Sequence, residues 1–331
     1  MTDHSPIESF KPIVQQQASD VAPPTSAGAV DALAEATVEA AGLELKARSQ
    51  WSYARQRFLR HRLAMAGLLG LIFFLVVGIF ANYIAPYPID QINLEEVMIG
   101  PTLTGHHFLG TDEVGRDFLS RIVYGIRTSE EVGMFVALVA TTLGLILGAI
   151  AGYFGGLLDN LIMRLTDLVL TLPLLAILLT AAALLGEGSQ WRVSFILGFV
   201  LWTTTARIVR GVFLSLREKE YVEAAKASGA GNMRIMFRHI LPNTLGPIVV
   251  AGTLAVGTAI LIETALSFLG FGIKPPATSL GILIADGQNN PQKWWLTVFP
   301  GVAIVLIVLC INFIGDGLRD ALDPQHRRVR A

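Results

Sequence analysis

LAMAGLLGLIFFLVVGIFANYIA, residues Leu63–Ala85, carries no charged side chain and is closed by Pro86 and Pro88. A bilayer's hydrocarbon core, about 30 Å thick, takes about 20 helical residues to cross. Lipid offers the backbone no hydrogen-bond partner, so a run of this length must satisfy its own N–H and C=O groups as a helix. The run reads as a transmembrane span, and the chain around it is read on that footing.

Five more charge-poor runs follow: Val132 to past Gly152, Leu168–Gly186, Val193–Ala206, Ile240–Ile262 and Trp294–Gly315. The shortest stops at Arg207, and it reaches across if Arg207 and Arg210 extend their stems to the interface. Gly144, Gly148, Gly152, Pro173, Gly252, Gly257 and Pro300 lie within these runs and suit close helix packing. Of all residues 53% are hydrophobic and 15% charged, against roughly 25% charged in soluble domains. The fold class expected is an all-α integral membrane protein with six transmembrane helices.

Basic residues set the orientation. Lys46, Arg48, Arg55, Arg57, Arg60 and Arg62 precede the first run. Arg210, Arg217, Lys219, Lys226, Arg234 and Arg238 lie between the fourth and fifth, and Arg319, Arg327, Arg328 and Arg330 follow the sixth. Lys and Arg mark cytoplasmic loops, and six spans put these three segments on one side. Both termini are expected in the cytoplasm. Residues 1–50 form a polar, acidic tail expected to be disordered, with a weak helix over Asp31–Leu45. No basic region precedes an early apolar stretch there, so no signal peptide is expected. Residues 51–85 hold the basic segment and first span, 86–131 an external segment, 132–316 a five-helix core, and 317–331 a cytoplasmic tail.

In the external segment, Thr111 is placed to cap a helix with Asp112 and Glu113 in its first turn, where the dipole favours acids. Phe118, Leu119, Ile122, Val123 and Ile126 continue at helical spacing, which describes an amphipathic outer helix. A second external segment, Gly270–Lys293, meets Trp294-Trp295, an interfacial aromatic anchor.

The loop between spans four and five reads REKEYVEAAKASGAGNMRIMFRHILPN, Arg217–Asn243. Glu220–Ser228 is rich in helix formers, and Gly229 and Gly231 permit the positive φ of a C-cap. Asn232 is placed to cap a second helix carrying Met233, Ile235, Met236 and Phe237, and Pro242 opens the fifth span. Small residues at Ala224, Ala225 and Ala227 suit a knob entering a groove of another protein. A generic amphipathic loop resting on lipid headgroups fits the periodicity equally well.

Glu223-Ala224-Ala225, Gly229 and Leu241-Pro242 resemble the EAA signature of permease subunits of type I ABC importers. Arg238 through Asn243 resembles the form of its peptide and nickel branch, with His239 in the position commonly histidine there. Leu109–Asp117 with Ser120-Arg121 and Gly125 resembles the C-type subunit's external segment, including Asp112, Gly115, Arg116, Asp117 and Arg121. Met163-Arg164 with Asp167 and Pro173 resembles its third span, Glu263–Gly270 with Pro275-Pro276 the end of its fifth, and Gly315–Pro324 its C-terminus. The resemblance runs in order from Arg55 to Arg328. Glu130-Glu131 depart from it where apolar residues are usual, as does Leu280 where tryptophan is frequent.

The resemblance implies a MetI-like permease core with a coupling loop at 213–242 that docks in a cleft of a cytoplasmic P-loop ATPase. Glu220, Glu223, Ala224, Ala225, Gly229, Arg238, Leu241 and Pro242 would carry ATPase closure to the spans. It implies a homologous B-type permease sharing the pore, one or two ATPase subunits and an extracytoplasmic substrate-binding protein, in a bacterial cytoplasmic membrane. Peptides are the substrate it implies first; nickel chelates, glutathione and oligosaccharides use similar permeases. ATP and Mg would be used by the partner subunits, and no cofactor is expected on this chain.

The remaining candidates read as structural. Asp167 lies one turn from Arg164, within reach to pair with it, and both Asp167 and Glu263 fall near span ends where water is close, so a structural role for Arg164, Asp167 and Glu263 ranks ahead of one in the transport pathway, which stays open. The adjacent His106 and His107 lack metal-ligand spacing and read as surface residues, so no metal site is expected. Asp117 and Arg121 are i,i+4 neighbours and read as a salt bridge on an external helix. The lone Cys310 excludes a disulfide framework. No G-x-x-x-x-G-K-[ST] loop and no catalytic constellation occur, so the chain is expected not to be an enzyme. Net charge near zero gives no sign of nucleic-acid binding. The rival class, an ATP-independent secondary transporter, would favour internal repeats or mid-membrane charges, and neither stands out. A membrane scaffold without a pore is the third class.

Overall fold

The structure, a computed structural model, describes residues 50–102, 105–185, 189–275 and 277–322. The expectations for the acidic tail before residue 50, for Pro276 and for the basic residues beyond 322 lie outside the described residues. The regular structure of the described residues is helical, with an isolated antiparallel bridge between Thr111 and Asp117. In chain order the helices are α1 (Gln50–Arg60), α2 (Arg62–Ile79), α3 (Ala81–Ile84), α4 (Phe118–Phe154), α5 (Gly156–Thr171), α6 (Leu174–Leu185), α7 (Gln190–Arg217), α8 (Glu220–Ala227), α9 (Asn232–Arg234), α10 (Leu241–Phe268), α11 (Leu280–Asn289) and α12 (Trp295–Leu322). A π-helical turn, Ile235–Ile240, joins α9 to α10.

Five of these units are long and apolar enough to cross a membrane, and α5 with α6 makes a sixth if the pair is one span. The third span, expected over Leu168–Gly186, is instead a bent pair that begins earlier, at Gly156. Its two halves meet at 92°. Pro173 is the reason: it lacks an N–H and disfavours helical backbone at the residue before it, and Leu172 is extended at ψ 142. The fourth span is longer than expected, Gln190–Arg217 rather than Val193–Ala206.

The external amphipathic helix and the second span are one helix. α4 runs for 37 residues, about 55 Å at roughly 1.5 Å per residue. Glu130 and Glu131 do not interrupt it: Glu130 is buried, and Glu131 pairs with Arg127 one turn before it at 3.0 Å and accepts from Gln190 of α7 at 3.1 Å. The helix begins later than expected. Asp117, not Thr111, is its N-cap, accepting from the Ser120 N–H at 2.7 Å.

α4 packs on α7 through a glycine row. A Cβ placed at Gly144 would stand 2.6 Å from Thr205 Cβ, one at Gly148 2.5 Å from the Ala206 carbonyl oxygen, and one at Gly152 2.7 Å from the Arg210 carbonyl oxygen. Lipid supplies no hydrophobic drive between helices, so such close backbone approach is what holds the pair. One apolar cluster fills the end of the molecule near α11 (Phe118, Ile122, Leu280, Leu283, Trp295, Leu296). Another fills the opposite end (Tyr153, Val209, Phe213, Val222, Ile235, Met236, Ile240). α1, the start of α10 and the end of α12 lie together at this second end: the Phe58 ring packs on Gly317, and Gly246 faces Leu322. That agrees with the side-by-side placement expected from the basic segments.

Candidate coupling surface and the clamps behind it

The loop after α7 forms the knob the sequence suggests. α8 opens with Glu220 and Glu223 in its first turn, where acids favour the N-terminal dipole. It closes on Ser228 and Gly229, with Gly229 at φ +76. The Ala230 N–H donates to the Ala225 carbonyl at 3.0 Å and the Gly229 N–H to Lys226 at 2.9 Å. That pair of hydrogen bonds is the Schellman closure, which needs a residue comfortable at positive φ. Gly231 does not share this role: its φ is −70, and it caps α9 in place of Asn232. Asn232 instead accepts a hydrogen bond from the Tyr153 hydroxyl at 2.9 Å.

Burial splits the knob into an anchor and a free face. Val222 and Ile235 are fully buried against Phe213 and Ile240. Glu220, Glu223, Ala224, Gly229, Arg238 and Pro242 are exposed, with Ala225 and Leu241 half-buried. Tyr221, Met233 and Phe237 add apolar surface at 40%, 67% and 61% exposure. Of the coupling residues the resemblance points to, none is buried. The partial burial of the Tyr221 phenol raises its pKa, against the opposing effect of Asn243 at the start of α10.

Pro242 does not break the chain into loop and span. Without an N–H, Pro242 leaves the Arg238 carbonyl without its usual donor, and the turn before it widens to the π form, closed by the Leu241 N–H on the Met236 carbonyl. Asn232–Phe268 therefore continues for 37 residues as one membrane-crossing unit. The second half of the knob is the fifth span's own first turns.

Ion pairs brace this end. Arg207 bonds Asp167 at 2.5 Å, and Arg210 grips Asp159 through Nε and through Nη2, the latter at 2.7 Å, so α5 is tied twice to α7. Asp167 thus pairs with Arg207 and not with Arg164, which is exposed. Arg217 donates to the Tyr153 carbonyl at 2.9 Å, holding the loop's first residue to the end of α4. Tyr153 and Arg217 carried no distinguishing motif; only the folded chain brings them together.

Glu263 departs from its expected watery position. It is fully buried, accepting from Ser267 at 2.7 Å and from Ser129 of α4 at 3.3 Å, while Ser129 accepts from the Leu280 N–H of α11. The carboxyl joins three helices beneath the second external segment. Sequence spacing gave no sign of this, because Ser129 lies 134 residues away.

The external motif is a second clamp. Asp112, 1% exposed, accepts from the Val114 and Arg116 N–H groups, from Arg116 Nε at 2.7 Å and from Arg121 Nη1 at 2.8 Å. The same Arg121 nitrogen reaches Asp286 of α11 at 2.8 Å. Gly115, at φ +76, lets the turn pass against the Asn93 carbonyl where no Cβ would fit. Asp117 does not pair with Arg121, because its oxygens are taken by the α4 cap and by His107 Nδ1 at 2.8 Å. His107 is accordingly not a surface residue. It is buried, with Nε2 3.1 Å from Glu96, and although burial alone would lower its pKa, the Asp117 and Glu96 hydrogen bonds raise it above 6.5. Among the described residues no group of three His, Cys, Asp or Glu side chains is arranged to hold a metal ion.

Residues 144–328 match the family described as binding-protein-dependent transport system inner membrane component, and residues 49–101 match the N-terminal TM domain of oligopeptide transport permease C. The oligopeptide transport system permease protein OppC of Haemophilus influenzae is 40% identical over 286 residues, covering 86% of this chain and 92% of that protein. The dipeptide transport system permease protein DppC of Alkalihalophilus pseudofirmus is 41% identical over 278 residues, covering 84% and 90%. Among solved structures, the inward-facing MetNI methionine ABC transporter aligns with TM-score 0.52 at 20% identity, over 61% of this chain and 96% of that one. That likeness is one of fold.

Proposed function

The chain belongs to the binding-protein-dependent transport system inner membrane components, and from that premise we propose that it forms half of the pathway by which an ATP-driven importer moves peptides across the cytoplasmic membrane. It is a multi-pass membrane permease. The coupling end, with α1, α8, α9 and the end of α12, faces the cytoplasm in this reading. A homologous B-type permease completes the pathway, one or two P-loop ATPases bind the knob, and an extracytoplasmic binding protein delivers the peptide. ATP and Mg are used by those ATPases, and this chain binds no cofactor.

The observation that carries the reading is the continuity of the knob with the fifth span, Asn232–Phe268. ATP-bound closure of the ATPases presses on the exposed face of Glu220, Glu223 and Ala224. The Schellman closure at Gly229 and the buried Val222 and Ile235 make the knob move as a unit. The π turn passes that movement into α10, and Glu263, near the far end of α10, passes it to α4 and α11 through Ser129. The residues named supply position and leverage, and the hydrolytic chemistry lies on the partner.

The test is the complete importer in proteoliposomes, scored for peptide uptake and ATP hydrolysis together. Replacing Glu223 by alanine should leave assembly intact and lower uptake per ATP consumed. Unchanged uptake in both Glu223→Ala and Gly229→Val would remove the mechanism.

A further inference from the structure

The transport reading gives no work to α1, yet its surface is specialised. The segment QWSYARQRFLR carries Arg55, Arg57 and Arg60, and Arg62 opens α2. No acidic residue occurs between Glu44 and Asp90. His61 is extended at ψ 101 and caps α2 through the Ala64 N–H at 3.1 Å, so the chain turns between α1 and the span. α1 therefore does not extend the span into the aqueous phase.

Packing fixes its level. Phe58 lies on Gly317 of α12, and His61 stands 3.6 Å from Asp320. Asp316, Arg319 and Asp320 mark where α12 leaves the hydrocarbon. α1 is thus held where spans meet headgroups. One stripe, Ala54, Arg57 and Phe58, is turned inward. The rest of the α1 surface exposes Tyr53 at 43% and Leu59 at 50% with Arg55 and Arg60, and just past the turn Arg62 and Leu63, the latter at 54%, are exposed at the start of α2. No ion pair among the described residues holds those three arginines. Aromatic and aliphatic side chains interleaved with cations of one sign, at headgroup level, match an interface whose headgroups carry net negative charge.

We propose that α1 is a lipid-recognition helix: Arg55, Arg60 and Arg62 bind the phosphates of anionic phospholipids while Tyr53, Leu59 and Leu63 enter the acyl boundary. The helix rests on α12, which packs against α10, so lipid bound there bears on the span continuous with the knob.

The full-length chain, purified in mild detergent, is exchanged into an equimolar mixture of phosphatidylglycerol and phosphatidylcholine, and the retained lipids are quantified by mass spectrometry. Enrichment of phosphatidylglycerol is expected, falling by roughly fivefold for each arginine replaced by glutamine, and weakening with added salt. The R55K/R60K/R62K variant keeps the charge and should keep the enrichment, which also covers failure of the glutamine triple variant to accumulate. Equal enrichment in wild type and the glutamine variants overturns the proposal. So does enrichment that vanishes when residues 1–45 are removed with the arginines in place. Arginine-dependent binding of polyglutamate without phosphatidylglycerol enrichment would also overturn it, and would assign the face to an acidic protein segment. None of these readouts depends on peptide transport, so they stand or fall apart from the importer reading.

Discussion

Replacing Gly229 by residues of graded intolerance for positive φ tests whether the Schellman closure sets coupling. Gly229 sits at φ +76, and a Cβ placed there meets nothing within 4 Å. The substitution cost is therefore purely conformational. An L residue in the left-handed region loses roughly 1–2 kcal/mol, less for asparagine and more for a β-branched residue. The two bonds at stake, from Ala230 to Ala225 and from Gly229 to Lys226, close α8 and set the direction in which the chain leaves it. A loss of about 1–2 kcal/mol raises the population of an opened α8 by roughly 5- to 30-fold. The buried Val222 and the rest of the molecule keep their contacts, so the chain still assembles. Hydrogen exchange over residues 220–230 should accelerate in the order Gly, Asn, Ala, Val, and uptake per ATP hydrolysed in the complete importer should fall in the same order. Asparagine and valine variants with equal exchange and equal coupling would refute the reasoning, since only backbone preference separates them at an open site.

Asp112→Ala leaves the buried Arg121 with Asp286 alone, and breaking a buried pair costs roughly 3–5 kcal/mol; the thermal midpoint of the purified chain should fall well below that of Asp286→Ala, whose partner carboxylate is 29% exposed. Gly148→Leu drives a side chain into the Ala206 carbonyl and should separate α4 from α7, so that protease-resistant chain no longer accumulates, whereas Gly301→Ala, with open space around it, should be neutral. His107 has its pKa raised from 6.5, so its contribution to the external clamp is fully present below 6.5 and is lost as pH rises through the raised value. Thermal stability should therefore decline as pH rises from 6.5 through the raised value in wild type, and the decline should be absent in His107→Gln.

Charge-free length made the spans legible, because lipid leaves the backbone no alternative to helix. Positive φ at Gly229 was legible for a similar reason: few residues besides glycine close a helix that way. The failures share a different physics. Local pairing rules offered Arg164 for Asp167 and Asp117 for Arg121, but Arg207 and Asp286 come from 40 and 165 residues away. Thr111 looked like an N-cap because its side chain suits one, yet its hydroxyl is held by the Glu96 carbonyl at 2.5 Å and Asp117 does the capping. Glu130 and Glu131 looked like a boundary, and tertiary burial and pairing carried α4 through them. Pro242 was expected to open the fifth span and stands in the first turn of α10, but the turn before it widens and keeps the chain helical back to Asn232. The external clamp needed His107, Glu96 and Asp286 in one place, which no spacing in the chain announces.

The central claim is that this permease is moved by ATPases through residues 218–237. Affinity capture of the tagged chain from mild detergent, with mass spectrometry and an ATPase assay of the eluate, tests it most directly. The account predicts a second permease and P-loop ATPases in the eluate, with ATP hydrolysis altered when Glu223 is replaced. A lone or self-associated chain that transports peptide with no ATPase bound would contradict it.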